Sequence, residues 1–233
     1  MQQVSNYAIK NHLLSSISPA TFARLQPDLE RVDLPHAAPV FRAYEPITHV
    51  YFPEGAMASL VASTANGGSS EIGVVGREGA VGLDVLMGVD VSPHDCVIQI
   101  PNGGFRIKKA ALRKEFERGE EVHDMVLLFT HKLMTQVSQI TLCNRLHTIE
   151  ERLSRWLLMC HDRIDGDKIS LTHGFLGLML GVRRESVTLA AGDLQSRGAI
   201  NYLRGNITVI DRSELESASC DCYSVVKREY ERN

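Results

Sequence analysis

The residues with the most distinctive chemistry lie between Thr172 and Leu189. Arg183, Arg184 and Glu185 stand together at the start of a helical pattern. An arginine can donate two hydrogen bonds to the acceptor edge of guanine, and a glutamate can accept one from the amino group of cytosine. An adjacent Arg–Glu pair can therefore read neighbouring base pairs, so we predict contact with DNA bases here.

The predicted contact surface continues along the same helix and into its neighbours. Thr188 and Leu189 lie about one turn further on, where either can contact the methyl group of thymine. Thr172 at the start of the preceding helix and Arg204 at a turn suit contacts to phosphate. The predicted DNA-contacting residues are Thr172, His173, Arg183, Arg184, Glu185, Ser186, Thr188, Leu189 and Arg204.

Two glycines indicate how this segment folds. Gly177 has no side chain, so a neighbouring helix can approach it closely, and Gly181 can take the left-handed conformation that ends a helix. Val182 then fills the corner before a second helix, with Val187 facing inward. This spacing is that of a helix-turn-helix, whose second helix enters the major groove. The alternative is a helix pair that binds no DNA, with residues 183–185 an ordinary solvated helix start.

The residues after the second helix predict a β-hairpin. Ala199–Leu203 and Ile207–Asp211 alternate in polarity, and a Gly-Asn turn at Gly205-Asn206 joins them. A helix-turn-helix followed by such a hairpin is a winged helix, with Arg204 at the tip of the wing. The hairpin therefore favours the DNA-binding interpretation.

The first hundred residues differ from the DNA-contacting segment in composition and in local sequence pattern. Short β-forming runs alternate with Gly, Pro and Asn from Ser18 to Pro101, which predicts an antiparallel sandwich or barrel. Asn66-Gly67-Gly68 lies between two of these runs and is typical of a hairpin turn. The predicted strands include Val50–Phe52, Met57–Ala62, Ile72–Val75 and Cys96–Ile100.

Helices should follow, because neither proline nor glycine occurs between Gly119 and Gly166. The apolar residues of the first helix form a narrow seam, typical of helices that pair between subunits. We favour dimerisation, although the seam could instead cover the β domain of its own chain. The seam residues are Val122, Val126, Phe129, Leu133 and Ile140. In the second helix, the positions predicted to be exposed are Glu150, Glu151, Arg152 and Arg155.

Residues Leu171–Ile210 resemble the C-terminal DNA-binding domain of the Crp/Fnr family of bacterial transcription regulators. Arg184-Glu185-Ser186-Val187 stands where that family carries its Arg-Glu-Thr/Ser-Val signature. The order of the preceding elements is also similar, over nearly the whole chain. The resemblance implies an α+β fold with three parts. These are an antiparallel β-roll (a cyclic-nucleotide-binding-like jelly roll) over residues 1–118, a dimerisation helix over 119–148 and a winged helix-turn-helix over 149–233.

The same resemblance implies a cytoplasmic homodimer that binds a two-fold operator in double-stranded DNA. Each subunit would place one reading helix in a major groove, and RNA polymerase would be a further partner. Arg184 and Glu185 take the family's base-reading positions. Leu189 stands where the family has a further arginine, so the resemblance does not specify the operator sequence.

The sensor half departs from the nucleotide-binding members of the family. Those members use a glutamate for the ribose hydroxyl and an arginine for the cyclic phosphate, but Leu83 and His94 or Asp95 stand there. An aliphatic side chain accepts no hydrogen bond, and a carboxylate repels a phosphate. We therefore predict no tight binding of cyclic AMP or cyclic GMP, and the effector stays open. The residues that match the effector pocket are Gly82, Leu83, Asp84, His94, Asp95, Cys96 and Ser138.

Other cofactors find little support in the sequence. An iron–sulfur member of the family would carry an N-terminal cysteine cluster, but no cysteine precedes Cys96. Haem would need axial ligands, and the histidines are better explained as surface or hydrogen-bonded structural residues. Cys220 and Cys222 form a close pair, which alone is an incomplete zinc site. We interpret the pair as solvated thiols and predict no metal site.

Length and composition set further bounds. The chain has 233 residues, of which 44% are hydrophobic and 23% charged, as in a globular protein with a core. We expect no membrane span and no secretory signal, and the odd number of cysteines fits reduced cytosolic thiols.

Glycine pairs without a following lysine give no phosphate-binding loop, so an enzyme is disfavoured. The alternative kept open is an effector-free regulator or interaction module with a relic sensor domain.

The net charge of −3 is an objection to DNA binding. Within residues 172–206, however, four arginines face only two acidic residues, so the predicted winged helix carries a local positive excess. We therefore expect non-specific DNA affinity to be weak and strongly dependent on salt.

Overall fold

The computed structural model describes residues 9–232, which divide into two compact units. The first unit comprises the chain up to Leu60 together with Val74–His131, and the second comprises Val61–Gly73 with the chain from Lys132 onward. This division differs from the predicted boundaries after residues 118 and 148. The long helix is shared between the units, and a hairpin tip of the β region groups with the C-terminal unit.

The first unit is built mainly from antiparallel strands. The elements up to α3 are α1 (His12–Ser16), α2 (Pro19–Leu25), β1 (Leu29–Leu34), β2 (Pro39–Phe41), β3 (His49–Pro53), β4 (Met57–Ser63), β5 (Ser69–Val75), β6 (Asp95–Ile100), β7 (Asn102–Lys108) and α3 (Lys109–Phe116). Of these, the end of β4 and most of β5 form the hairpin tip that groups with the second unit. Two 3₁₀ helices lie at Gln26–Asp28 and Leu83–Met87. One sheet has the order β1-β7-β3 and the other β2-β6-β4-β5, and the pairings of β7 with β1 and β3 are antiparallel. The predicted β-roll is confirmed.

The hairpin between β4 and β5 turns where the sequence predicted. Gly67 has a φ of +83°, which glycine adopts without strain, and the amide of Thr64 donates to the carbonyl of Gly68 at 2.7 Å. The predicted strand runs at 50–52, 57–62, 72–75 and 96–100 all fall within observed strands. Short-range turn chemistry thus determined this part of the fold.

Helix α4 (Glu121–Leu146) buries the predicted apolar seam inside its own chain. Val122, Val126, Phe129 and Ile140 are buried, and Leu133 is half-buried. The Phe129 ring occupies the space beside Gly79, where a Cβ atom would lie 2.2 Å from it. These side chains are not free for a second subunit, so the prediction that this seam pairs two subunits is corrected.

Among its described residues, the second unit contains the C-terminal part of α4, five further helices and a small antiparallel sheet. The elements after α4 are α5 (Ile149–His161), β8 (Lys168–Ser170), α6 (His173–Leu180), α7 (Arg184–Ser196), β9 (Ile200–Leu203), β10 (Asn206–Val209), α8 (Arg212–Ser217) and α9 (Cys222–Glu231). The order of the sheet is β8-β10-β9. A capping box starts α5, because Thr148 accepts a hydrogen bond from the amide of Glu151 while Glu151 accepts from the amide of Thr148.

Helix α5 is more deeply buried than its sequence predicted. Arg152 and Arg155 were expected to be exposed, but both are buried, with Arg155 only 2% exposed. Arg152 donates to the carbonyl of Leu180, the last residue of α6. Trp156 is also buried and donates from Nε1 to the buried carboxylate of Glu71 at 2.7 Å. The helix is held on several sides by polar contacts, which amphipathic spacing alone does not reveal.

The prediction that Cys220 and Cys222 are solvated is wrong. Cys220 is 6% exposed and Cys222 is fully buried, because the start of α9 packs against the end of α4, where Cys143 lies. All five cysteines are buried as free thiols.

Among the residues that the structure describes, no helix combines the length and apolar character needed to cross a bilayer.

The Trp156–Glu71 hydrogen bond generates the first testable prediction. Trp156→Phe keeps most of the apolar ring but leaves a buried carboxylate oxygen without its indole donor, so we expect a loss of about 1–3 kcal/mol in the free energy of unfolding. Urea unfolding followed by circular dichroism measures this loss. Combining Trp156→Phe with Glu71→Leu removes both partners and should recover part of it. Unchanged stability in the single variant would contradict the importance of this bond.

Candidate nucleic-acid interface

The turn between α6 and α7 has the geometry that its glycines predicted. Gly181 has a φ of +64° and ends α6 in the left-handed conformation. A Cβ atom at Gly177 would lie 2.9 Å from the carbonyl oxygen of Val182, so only glycine lets the turn approach α6 this closely. Thr172 caps α6, accepting from the amide of Phe175 at 3.2 Å. The helix-turn-helix is confirmed, and its local chemistry fixes the start of α7.

Helix α7 presents the predicted reading face to solvent. Arg183, which precedes it, is exposed, and so are Arg184, Glu185, Thr188 and Leu189; Leu189 is 72% exposed although it is apolar. Ser186 is half-buried. The opposite face of the helix is buried through Val187, Ala190, Ala191 and Leu194. Burial of that face fixes the rotation of α7 and therefore which side chains point outward.

His173 lies beneath this face and does not belong to it. It is 8% exposed, its Nδ1 lies 3.0 Å from Oγ1 of Thr188, and its ring stacks on Tyr202 at 3.8 Å. Burial and then the positive charge of Arg184 lower the pKa of His173, which favours the neutral imidazole. The prediction that His173 contacts DNA is corrected: it positions Thr188 from below.

The wing turns one residue earlier than the sequence predicted. Arg204 and Gly205 form the turn with φ values of +50° and +81°, and Asn206 is already the first residue of β10. Positive φ at two successive residues is the type I′ geometry that matches the twist of a hairpin. Arg204 is exposed, and a Cβ atom at Gly205 would lie 3.7 Å from Thr172. The two predicted phosphate-contacting sites are therefore neighbours.

Three arginines give this surface its charge. Arg183, Arg184 and Arg204 form no ion pair with any residue between 9 and 232. Arg197, which also belongs to the winged helix, is instead held by Glu150 and Glu214 at 2.9 and 2.6 Å. These three cations thus cluster at the start of α7 and the tip of the wing, which are the places where a groove and its flanking phosphates would lie.

The residues that match an effector pocket lie in acidic surroundings. Asp84 and Asp95 both lie close enough to His94 and Cys96 to raise their pKa values, although burial is the larger influence, lowering the pKa of His94 and raising that of Cys96. Asp95 also accepts a hydrogen bond from the amide of Ala43 at 2.9 Å. Both carboxylates disfavour a phosphate group here.

The remaining pocket residues have structural roles. Gly82 has a φ of +88° and precedes the 3₁₀ helix in which Leu83 is buried. Ser138 lies on α4, where its hydroxyl donates to the carbonyl of Met134, and it belongs to the second unit while residues 82–96 belong to the first.

One group of potential ligand residues was missed by the sequence interpretation. Cys143, His147, Cys220 and Cys222 place one ligand atom each within 4.8 Å of one another. A hydrogen bond from Cys220 and the nearby Arg155 guanidinium lower the pKa of the Cys143 thiol to about 5. The overlooked signal is Cys-x₃-His at residues 143–147, which puts both side chains on one helix face.

Several solved structures have a fold similar to that of this chain. FixK2 from Bradyrhizobium japonicum superposes with a TM-score of 0.71 at 16% identity, covering 82% of this chain and 98% of that one. A CRP-family regulator from Thermus thermophilus gives 0.66 at 16% identity, covering 82% and 96%. CLP from Xanthomonas campestris, described as a c-di-GMP-responsive global regulator, gives 0.64 at 15% identity, covering 83% and 100%. At these identities the likeness shows the fold.

The DNA-binding domain is identified by its sequence family. Residues 151–218 match the family model of the Crp-like helix-turn-helix domain. The chain therefore carries a Crp-like helix-turn-helix domain, on a fold that solved Crp/Fnr regulators share. No curated protein sequence matches it significantly. The resemblance that the Arg-Glu-Ser-Val run implied is confirmed, and this regulator carries its DNA-binding domain in the second unit.

The acidic pocket of the regulator generates a prediction about nucleotides. Because Leu83 is buried and Asp84 and Asp95 are carboxylates, we expect neither cyclic AMP nor cyclic GMP to bind tightly. Isothermal titration calorimetry with each nucleotide tests this. Low-micromolar binding of either one would show that the assignment of this pocket is wrong.

Proposed function

We propose that this regulator is a cytoplasmic, sequence-specific homodimer that binds a two-fold operator in double-stranded DNA. The observation that carries the proposal is the solvent-facing Arg183-Arg184-Glu185 run at the start of α7. Placed in a major groove, that run offers arginine donors and a carboxylate acceptor to base edges. Two such helices related by a two-fold axis read two half-sites about one helical turn apart. The proposed activity is binding, and it includes no catalytic step.

The solvent-facing side chains divide into readers and anchors. Arg184 and Glu185 suit neighbouring guanine and cytosine edges, and Thr188 or Leu189 suits a thymine methyl group. Thr172 and Arg204 lie beside each other at the start of α6 and the tip of the wing, so they suit one phosphate region. The first group would determine sequence preference, and the second would determine affinity and its dependence on salt.

Helix α4 offers a second face for dimerisation. At 100° per residue, its exposed apolar side chains lie away from the buried stripe of Val122, Val126 and Phe129. Leaving this face in water is unfavourable, and a second copy of the same helix would cover it symmetrically. These exposed residues are Leu127, Leu128, Met134, Leu142 and Leu146. The dimer interface that we propose is thus on α4, as the sequence indicated, but on its other side.

The β-roll is proposed as a sensor whose signal is not cyclic AMP. An effector changes DNA affinity only if it binds one arrangement of the protein better than another. Strands β4 and β5 run from the β-roll into the hairpin tip of the second unit, where Glu71 meets Trp156 of α5. This hairpin is a direct covalent route toward the reading domain, and RNA polymerase is the expected partner of the DNA-bound dimer.

Substituting the reader and the anchor separately tests the DNA interface. On an operator selected in vitro, Arg184→Ala should cost roughly 1–3 kcal/mol of specific binding and relax preference at one base position. Arg204→Ala should weaken binding to all sequences alike and reduce the salt slope by about one. Fluorescence anisotropy over a salt series measures both effects.

The control for these variants is Arg42→Ala, which removes an exposed arginine of the first unit, outside both the winged helix and α4. It should leave operator affinity close to that of the wild type. If Arg184→Ala behaves like this control, the assignment of α7 as the reading helix is wrong. If dialysed and undialysed protein bind the operator equally, the regulator is effector-free and the β-roll has no sensing role.

Dimerisation is tested on the exposed face of α4. Met134→Glu places a charge in the proposed interface of each subunit and should convert the dimer to monomer in sedimentation velocity experiments without unfolding it, because Met134 is 64% exposed. Met87→Glu makes the same change at another exposed methionine and should remain dimeric. A dimeric Met134→Glu variant would argue against this interface.

A further inference from the structure

Four side chains with metal-binding atoms meet at the C-terminal end of α4. Cys143 and His147 come from that end, and Cys220 and Cys222 from the segment that starts α9. The Sγ atoms of Cys143 and Cys220 lie 3.5 Å apart, and Sγ of Cys222 lies 3.6 Å from Nδ1 of His147. All four ligand atoms lie within 4.8 Å of one another. We call this group the thiol cluster.

The dimensions of the thiol cluster fit one ion. In a tetrahedral zinc site with Zn–S bonds of about 2.3 Å, neighbouring ligand atoms are separated by about 3.8 Å. The two separations above are close to this value. An iron–sulfur cluster holds its cysteines around two or four iron atoms and therefore spreads them further apart. Three sulfurs and one imidazole are also a donor set found in structural zinc sites.

Buried positive charge beside the thiol cluster points to an anionic site. Arg155 lies against Cys143, and its Nη1 contacts the sulfur of Met159, a weak acceptor, while its Nε has no partner. Within residues 9–232, no carboxylate forms an ion pair with Arg155 or with the neighbouring buried Arg152. Three thiolates, a neutral imidazole and Zn²⁺ carry a net charge of −1. Such a site would supply the counter-charge that these buried guanidinium groups need.

A carboxylate lies near the second nitrogen of the imidazole. Nδ1 of His147 faces the thiol cluster, and its Nε2 lies 3.7 Å from the carboxylate of Asp221 on the other side of the ring. Metal-bound histidines commonly direct their second nitrogen to a carboxylate, which fixes the tautomer that leaves the first nitrogen free to bind metal. Asp221 lies between Cys220 and Cys222 in the chain, so one short segment provides two ligands and this outer contact.

We propose that Cys143, His147, Cys220 and Cys222 bind a single zinc ion. Four protein ligands complete a tetrahedron and leave no open position, which is the arrangement of a structural site rather than a catalytic one. The chain between His147 and Cys220 contains α5 through α8, and therefore the whole winged helix. The ion ties the end of the dimerisation helix to the start of α9 and encloses the DNA-binding domain within one metal-closed loop.

Metal analysis of the full-length protein tests the site. Protein purified without chelator should contain about one zinc per chain by inductively coupled plasma mass spectrometry. His147→Gln and Cys222→Ser should each lose the zinc, whereas Cys96→Ala, which removes a buried cysteine outside the thiol cluster, should retain it. Chelation should lower the melting temperature, and zinc but not magnesium should restore it.

A second measurement does not depend on variants that can fail to fold. Wild-type protein stripped of metal and titrated with cobalt(II) should develop the visible absorption of a tetrahedral ion and a thiolate-to-metal band in the near ultraviolet, each saturating near one equivalent. Zinc should displace both signals. Asp221→Asn changes only the exposed outer partner, so it should fold normally and bind zinc about tenfold more weakly.

Three results would overturn the proposal. The first is wild-type protein that neither holds zinc nor develops the tetrahedral cobalt spectrum. The second is zinc retained equally by His147→Gln, Cys222→Ser and Cys96→Ala, which would make it adventitious. The third is a Cys143–Cys220 disulfide found by mass spectrometry in metal-free protein that is as stable as the zinc-treated protein. That result would make the thiol cluster a redox pair.

Discussion

The DNA-binding unit depends on the satisfaction of polar side chains buried along α5. Arg152 donates to the last carbonyl of α6, Trp156 donates to Glu71 of the β4–β5 hairpin, and Arg155 lies against Cys143 of α4. A buried donor without an acceptor costs more than an ordinary hydrogen bond contributes. Each of these contacts therefore fixes the position of one neighbouring element relative to α5. The position of the winged helix thus depends on α5.

The polar contacts along α5 also determine the orientation of the reading helix α7. The contact from Arg152 holds the end of α6, Gly181 and Gly177 allow the tight turn that follows, and α7 buries one face against the rest of the domain. What remains toward solvent is a short face of arginines, a glutamate, Thr188 and Leu189. His173 and Tyr202 support that face from below. The proposed DNA surface thus consists of the side chains that remain exposed after the rest of α7 is buried. Its positive charge is local, because the chain as a whole has a net charge of −3.

Helix α4 shows how one element can serve two purposes. Its buried stripe covers the chain's own core, with the Phe129 ring beside Gly79, while the other side carries five exposed apolar residues. The second stripe is the face that we propose for a second subunit. Beyond this helix, the thiol cluster joins its C-terminal end to α9. Dimerisation, metal binding and DNA recognition would then all depend on a single covalent segment.

The sequence by itself determined the features that depend on neighbours in the chain. The local backbone preferences of Gly181 and Gly67 indicated where a helix ends and where a hairpin turns, and the Arg-Glu-Ser-Val run indicated a reading helix by its position in a motif. From these signals, the β-roll, the helix-turn-helix and the proposed reading face could be predicted. Only the tertiary structure decided which side of α4 is buried, that Arg155 and His173 are inside, and that Cys143 meets Cys220. Those outcomes depend on packing between segments that are distant in sequence. Apolar periodicity identifies the apolar face of a helix, but it does not show which part of the protein packs against that face.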